Sequence, residues 1–264
     1  MNSIAPRSDW LLAIIAREFR SALLNRYFQV FATLALLGGM SAATFSEDGD
    51  SSAFFILQIL LYIGSLFATL MGVSAARAEC EEWPLLFSQP LPRFAIALGK
   101  MLALAGVLAV ALVPLFAPPL FVGAPWMLLA RLYLQGVQLT VCFGCVGLTA
   151  GFVARDRAQG LIFGAGAWLL LLFGVDLVAL LAAHTAAWQR VPDFWVAGLM
   201  LNPLDSFRIG ALFSMEAIPA EAAGRTPLAH WWIDHAIAWF LLLASVWTAL
   251  LLALSGRTLN RWEE

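Results

Sequence analysis

Charge is scarce in this sequence. Of 264 residues, 12% are Asp, Glu, Lys or Arg, while 62% are hydrophobic. Soluble domains carry about 25% charged residues, so a water-soluble globular fold is excluded. The apolar residues come in blocks of about 20, the length that crosses ~30 Å of hydrocarbon at ~1.5 Å per residue. The chain therefore reads as a polytopic membrane protein. Its net charge of −2 says nothing about partners, because placement matters more than the total.

Cysteine is scarce too. Cys80 falls in a loop while Cys142 and Cys145 lie inside an apolar run, so the three cysteines make no disulfide framework. The phosphate-binding pattern G-x-x-x-x-G-K-[ST] is absent: Gly99-Lys100 is followed by Met101. ATP binding by that route is excluded. There is no H-E-x-x-H, and His230 and His235 miss the i, i+4 spacing of a helical ligand pair. No serine or cysteine nucleophile has a base beside it in sequence. No internal repeat, low-complexity tract or cleavable signal peptide is evident.

What is present is six apolar runs, expected as spans at 27–45, 53–75, 94–121, 126–153, 160–183 and 232–255. The third and fourth are separated only by VGAPW at 122–126 and form a tight hairpin. Before the first span, residues 8–26 place Leu11, Ile15, Phe19, Ala22 and Leu23 on one helical side and Arg17, Arg20, Ser21 and Asn25 on another. Such a helix lies in the interface with its basic side toward head groups. The alternative is a fragment of the bundle surface.

Lys and Arg in the flanks set the orientation. With the N-terminus inside, eleven basic residues (Arg7, Arg17, Arg20, Arg26, Arg77, Arg93, Lys100, Arg155, Arg157, Arg257 and Arg261) face the cytoplasm. Four (Arg131, Arg190, Arg208 and Arg225) face outward. Both termini are expected to be cytoplasmic. Segment 184–231 is then extracytoplasmic, with short helices at the outer interface and Trp188, Trp195, Trp231 and Trp232 at head-group depth.

Several residues carry candidate chemistry. Cys142 and Cys145 lie one helical turn apart, as soft Cu(I) ligands could. Gly147 and Gly151 form G-x-x-x-G in the same run, and Gly144 and Ala150 extend the small surface, which points instead to close helix packing. Asp176, late in the fifth span, and Arg131, near the outer end of the fourth, are intramembrane charges. They either pair with each other or reach separately for the interface. His184, His230, His235, Asp193 and Asp234 are the outer polar residues, and interface anchoring accounts for the histidines. In Asn202-Pro203-Leu204-Asp205-Ser206-Phe207-Arg208, Asn202 or Asp205 would cap a short helix that Pro203 pre-shapes. Arg208 is placed to pair with Asp205.

Between spans two and three, residues 76–93 combine Glu79, Glu81 and Glu82 with three prolines, an apolar ridge of Leu85, Leu86 and Phe87, and a closing Arg93. Acids do not help retain a loop inside. An apolar ridge flanked by charge suits docking of a cytoplasmic protein; otherwise the ridge rests on the bilayer.

These strings resemble a known family. The acids, LLFSQPLPR and Gly99-Lys100 are similar to the inner loop of ABC-2 type transporter permeases, E-x-E-x-G-T-L-x-x-L-L-S-x-P-x-x-R…G-K. More narrowly, ARDRAQGLIFGAGAWLLLLFGVD at 154–176 and LNPLDSFRIG at 201–210 resemble the NosY-type permease of nitrous oxide reductase maturation. Trp83-Pro84 replaces the family's Gly-Thr, which changes the bend before the ridge. The resemblance covers nearly the whole chain. It implies an all-α fold like that of ABC-2, or type V, exporters: one permease domain over 1–264, six spans, and 8–26 as an elbow helix. It implies a homodimer in the bacterial inner membrane, with no cofactor on this chain and no nucleic acid. ATP and Mg would be bound by a separate NosF-type ATPase contacting Glu79, Glu81, Glu82, Leu85, Leu86, Phe87 and Arg93. A copper-related periplasmic NosD-type protein would meet Asn202, Pro203, Asp205, Phe207 and Arg208. Two other readings are an ABC-2 exporter of a lipid, drug or other small molecule, and an intramembrane enzyme using Asp176, His184 or His235.

Overall fold

In lipid every backbone N–H and C=O must find an internal partner, and a chain this apolar meets that demand with helices. The computed structural model describes residues 7–45, 49–78, 93–183, 192–215 and 227–260, among which there is no strand. Helix α1 (Arg7–Leu23) leads into α2 (Arg26–Phe45). Helix α3 runs through Gly49–Gln58, a wide turn at Ile59–Gly64 and Ser65–Arg77. Then come α4 (Arg93–Phe121), α5 (Trp126–Val153) and α6, which comprises Arg157–Leu169, a second wide turn at Leu170–Gly174 and Val175–Ala183. Two short helices, α7 (Pro192–Leu201) and α8 (Pro203–Ser214), precede the long α9 (Pro227–Asn260).

Six of these are long and apolar enough to cross a membrane: α2, α3, α4, α5, α6 and α9, over 26–45, 51–77, 94–121, 126–153, 157–178 and 227–259. They match the six expected spans. The protein is a multi-pass membrane protein, and an even number of crossings returns the end of α9 to the face that carries α1. We call this the near face and the opposite one the far face.

Local sequence sets the breaks. Asn25 accepts the Tyr27 N–H at 2.9 Å and so caps α2. Asp156 accepts the Gln159 N–H at 2.7 Å, while the Gln159 side chain accepts from Arg155 N–H at 2.6 Å, a reciprocal cap of the capping-box kind. The hairpin at 122–125 turns through Gly123 at φ +91°, a value that side chains other than glycine rarely adopt. Proline opens α7, α8 and α9, at the position where its missing N–H costs nothing.

The fourth span is the axis: 72% of its most apolar stretch is buried, against 11% for the fifth. It meets α3 at backbone distance. A Cβ on Gly147 would overlap the Thr69 carbonyl, and one on Gly72 would overlap the Gly144 carbonyl. Small residues permit this approach where lipid gives no hydrophobic drive. Cys142 and Cys145 are buried in the same stretch. On its other side α5 meets α9 along a polar seam: the Thr149 hydroxyl lies 3.0 Å from Ser255 Oγ, and Gln138 Nε2 donates to Ser245 Oγ at 3.2 Å. Helix α1 packs chiefly on α4, with Phe19 against Gly106.

Replacing Gly147 with leucine should force α3 and α5 apart. Overpacking costs about 1–3 kcal/mol, so the melting temperature in detergent should fall by roughly 2–10 °C. A thiol-reactive dye that reports exposure of Cys142 and Cys145 would measure it.

Candidate functional site

The far-face polar cluster is built on the entrance to α8. The Asn202 side-chain oxygen accepts the Leu204 N–H at 3.2 Å, so Asn202 is the cap, with Pro203 at the first helical position. Both of its amide hydrogens are also used: Nδ2 donates to the Leu171 carbonyl in the wide turn of α6 and to Asp205 Oδ2, each at 2.6 Å. Asp205 Oδ1 lies 3.0 Å from Arg208 Nη2, one turn along α8. Arg208 also lies 3.7 Å from Asp176 of α6. Asn202, Asp205, Ser206 and Phe207 are buried, with Phe207 against Phe240 at 5.5 Å between ring centres. Arg208 and Asp176 reach the surface, their side chains 33% and 45% exposed. Within the motif, Arg208 is thus the member available to a partner, while Asn202, Pro203, Asp205 and Phe207 hold the helix in place.

Of the two alternatives left open for Arg131 and Asp176, the mutual pair is not formed. Asp176 pairs with Arg208 at 3.7 Å, and among the described residues Arg131 donates to Met127 Sδ at 3.6 Å. Asp176 lies in the last part of α6, which packs beside the α7–α8 hairpin; that hairpin supplies the nearer cation.

Burial pushes the Asp205 carboxyl up to about 6, with the Asp176 charge adding to the rise; the Arg208 guanidinium and the Asn202 amide act against it. Helix α8 is only 12 residues long and does not itself cross.

At the near face a buried ion pair joins α1 to α4. Lys100 Nζ donates to Glu18 Oε1 at 2.8 Å, with the two side chains 1% and 7% exposed. Arg17 lies 3.4 Å from the same oxygen. Asn25 Nδ2 donates to Ser74 Oγ at 2.9 Å, and the Arg157 guanidinium sits 5.9 Å over the Tyr27 ring. Sequence reasoning used Lys100 as an orienting charge and in the Gly99-Lys100 string, gave it no ion-pair partner, and passed over Glu18. One signal was present: Lys100 is the only lysine in the chain, and it lies inside an apolar run.

Glu79, Glu81, Glu82, Leu85, Leu86 and Phe87 lie outside the described residues, as do His184 and Trp188. Arg93 opens α4, and its side chain, like those of Asp193 and Trp195, lies outside the description. His230 is exposed. His235 is stacked on Trp231, with ring centres 5.1 Å apart. Trp231 is exposed, and Trp232 is buried beside Met200 and Ala236. Among the described residues no group of three or more His, Cys, Asp or Glu is placed to hold a metal ion.

No protein-family model matches the sequence. The chain is 27% identical over 268 residues to the probable ABC transporter permease protein NosY of Stutzerimonas stutzeri, an alignment covering 91% of this chain and 95% of that protein. The chain is thus similar, over nearly its whole length, to a probable ABC transporter permease.

Two outcomes follow. A carboxyl held at about 6 in the fold against 3.8 in the open chain binds its proton more tightly when folded. Stability contributed by Asp205 is therefore present below about 4 and is lost as pH rises to about 6, with a plateau above. Melting curves from pH 4 to 7.5 should show this slope, and Asp205→Asn should flatten it. Lys100→Met removes the buried partner of Glu18 and leaves it the half-exposed Arg17 at 3.4 Å, so the loss is at most that of a broken buried pair, about 3–5 kcal/mol. Brief trypsin treatment should then cleave α1 at Arg17 and Arg20 faster than in the unaltered protein.

Proposed function

We propose that this chain is the membrane-spanning permease subunit of an ABC transporter. It couples ATP hydrolysis on a separate NosF-type ATPase to transport, or to remodelling of a NosD-type extracytoplasmic protein, in copper-site maturation of nitrous oxide reductase. The observation that carries this reading is the end-to-end similarity to a probable NosY permease, 91% of this chain against 95% of that protein. The absence of a Walker A pattern from the sequence agrees with an ATPase on another chain. In this reading the protein is a homodimer in the bacterial inner membrane, its near face is cytoplasmic, and 184–231 is extracytoplasmic. Segment 76–93 is the coupling element, with Glu79, Glu81, Glu82, Leu85, Leu86, Phe87 and Arg93 at the ATPase. The chain is not itself an enzyme and binds no cofactor; ATP and Mg belong to the partner.

One observation favours export of an apolar or amphipathic small molecule as a second reading. The cleft between the wide turn of α6 and α7 is lined by Leu170, Leu171, Gly174, Val175, Val178, Phe194 and Gly198 and holds about 410 Å³. A hydrophilic cargo finds no partners there.

Co-expression with a NosF-type ATPase should yield a complex that hydrolyses ATP. Alanine at Leu85, Leu86 and Phe87 should abolish ATPase assembly or export while the spans still fold. Normal assembly and export in that variant would reject the coupling role. Deleting the gene should leave nitrous oxide reductase short of copper; a full copper complement would point to the exporter reading instead.

A further inference from the structure

Both wide turns depart from the ordinary helix by one residue. Where the five-residue register returns to four, a carbonyl loses its backbone partner. In α3 the Ser65 N–H goes to the Leu60 carbonyl, and the Ser65 hydroxyl donates to the Leu61 carbonyl. In α6 the Leu171 carbonyl takes its hydrogen from Asn202, 31 residues along the chain. The two turns are joined as well: Trp168 Nε1, just before the second one, donates to Ser65 Oγ at 2.8 Å. Apolar contacts elsewhere between α3 and α6, such as Val73 against Gly160 and Gly164, would tolerate sliding. The indole–hydroxyl bond fixes the register.

We infer that Ser65, Trp168 and Asn202 are positioning residues that join both wide turns and the far-face ion cluster into one unit, so that displacement of α3 reaches Arg208 and Asp176. The line runs from the Leu61 carbonyl through Ser65, Trp168 and the Leu171 carbonyl to Asn202, whose amide also holds Asp205. Ser65 and Asn202 are both buried, so water does not compete for these bonds. The inference rests on the permease reading, because α3 ends at Arg77, just ahead of the segment to which that reading gives the ATPase contact. Spatial continuity is only an association; a coupling energy between residues that do not touch is the physical content.

The first test uses the purified chain alone. Ser65→Ala, Asn202→Ser and the double variant are melted in detergent; serine retains a capping hydroxyl but supplies no amide to bridge α6. Ser65 and Asn202 share no bond, and unconnected sites lose stability additively. The joined unit predicts that the double variant loses clearly less than the sum of the single losses, and that Trp168→Phe abolishes this deficit. Additive losses overturn the inference.

The second test uses the complex with its ATPase in nanodiscs, carrying Cys80→Ser and a reporter Ser214→Cys on α8. ATP should change maleimide labelling of the reporter several-fold. Trp168→Phe and Asn202→Ser should remove that change while ATP hydrolysis and ATPase binding persist. A labelling response that survives both substitutions overturns the inference. Failure of the unaltered chain to bind any ATPase overturns the permease reading, and the melting cycle then still decides whether the unit exists.

Discussion

The bundle depends on the contact between α3 and α5, where two backbones meet with no side chain between them. Lipid tails are as apolar as leucine, so burying leucine does not draw helices together as it does in water; close van der Waals packing must do so. Gly72 and Gly147 allow the Thr69 and Gly144 carbonyls to lie against the facing helix. With that crossing fixed, α4 and α2 cover one flank, α9 takes the other through the Thr149–Ser255 seam, and α6 is left mostly on the outside.

The same solvent explains the side-chain hydrogen bonds. A freed carbonyl in hydrocarbon costs several kcal/mol, so a widened turn persists only where a side chain takes it up. Ser65 does this from within its own helix. Asn202 does it from another element, which makes the placement of α8 and the widening of α6 mutually dependent. The charged groups obey a parallel rule: Glu18 and Lys100 are buried as a pair, whereas Asp176 and Arg208 keep part of their surface in contact with the outside.

Much of this was legible in the sequence. Span number and limits follow from apolar length, and the 122–125 hairpin from a short break containing glycine and proline. The Asn202 cap and the Arg208–Asp205 pair are local, set by spacings of two and three residues. What was missed is tertiary. Asp176 had two cations to choose between, and hydropathy does not say which helix lies beside α6. The wide turns carry no sequence mark, since ILLYIG and LLLFG read as ordinary apolar helix. Glu18, flanked by Arg17 and Arg20 in sequence, drew no reading, because its partner Lys100 lies 82 residues away on α4.

The distribution of cations carries the argument one step further. Every basic residue except Lys100 is an arginine. Arginine suits span ends and surface pairs, because its long stem reaches the interface and its planar fork finds several acceptors. The α1–α4 crossing gives Lys100 Nζ a carboxylate oxygen at 2.8 Å with its side chain 1% exposed. A guanidinium there would need acceptors for five N–H groups in a fixed plane, whereas an ammonium presents three rotatable donors on a compact head. The lone lysine therefore marks the place where a charge is fully enclosed. It ties the amphipathic helix to the first turns of α4, directly after the loop that the permease reading assigns to the ATPase, so force applied there would pass into α1 and α4 together.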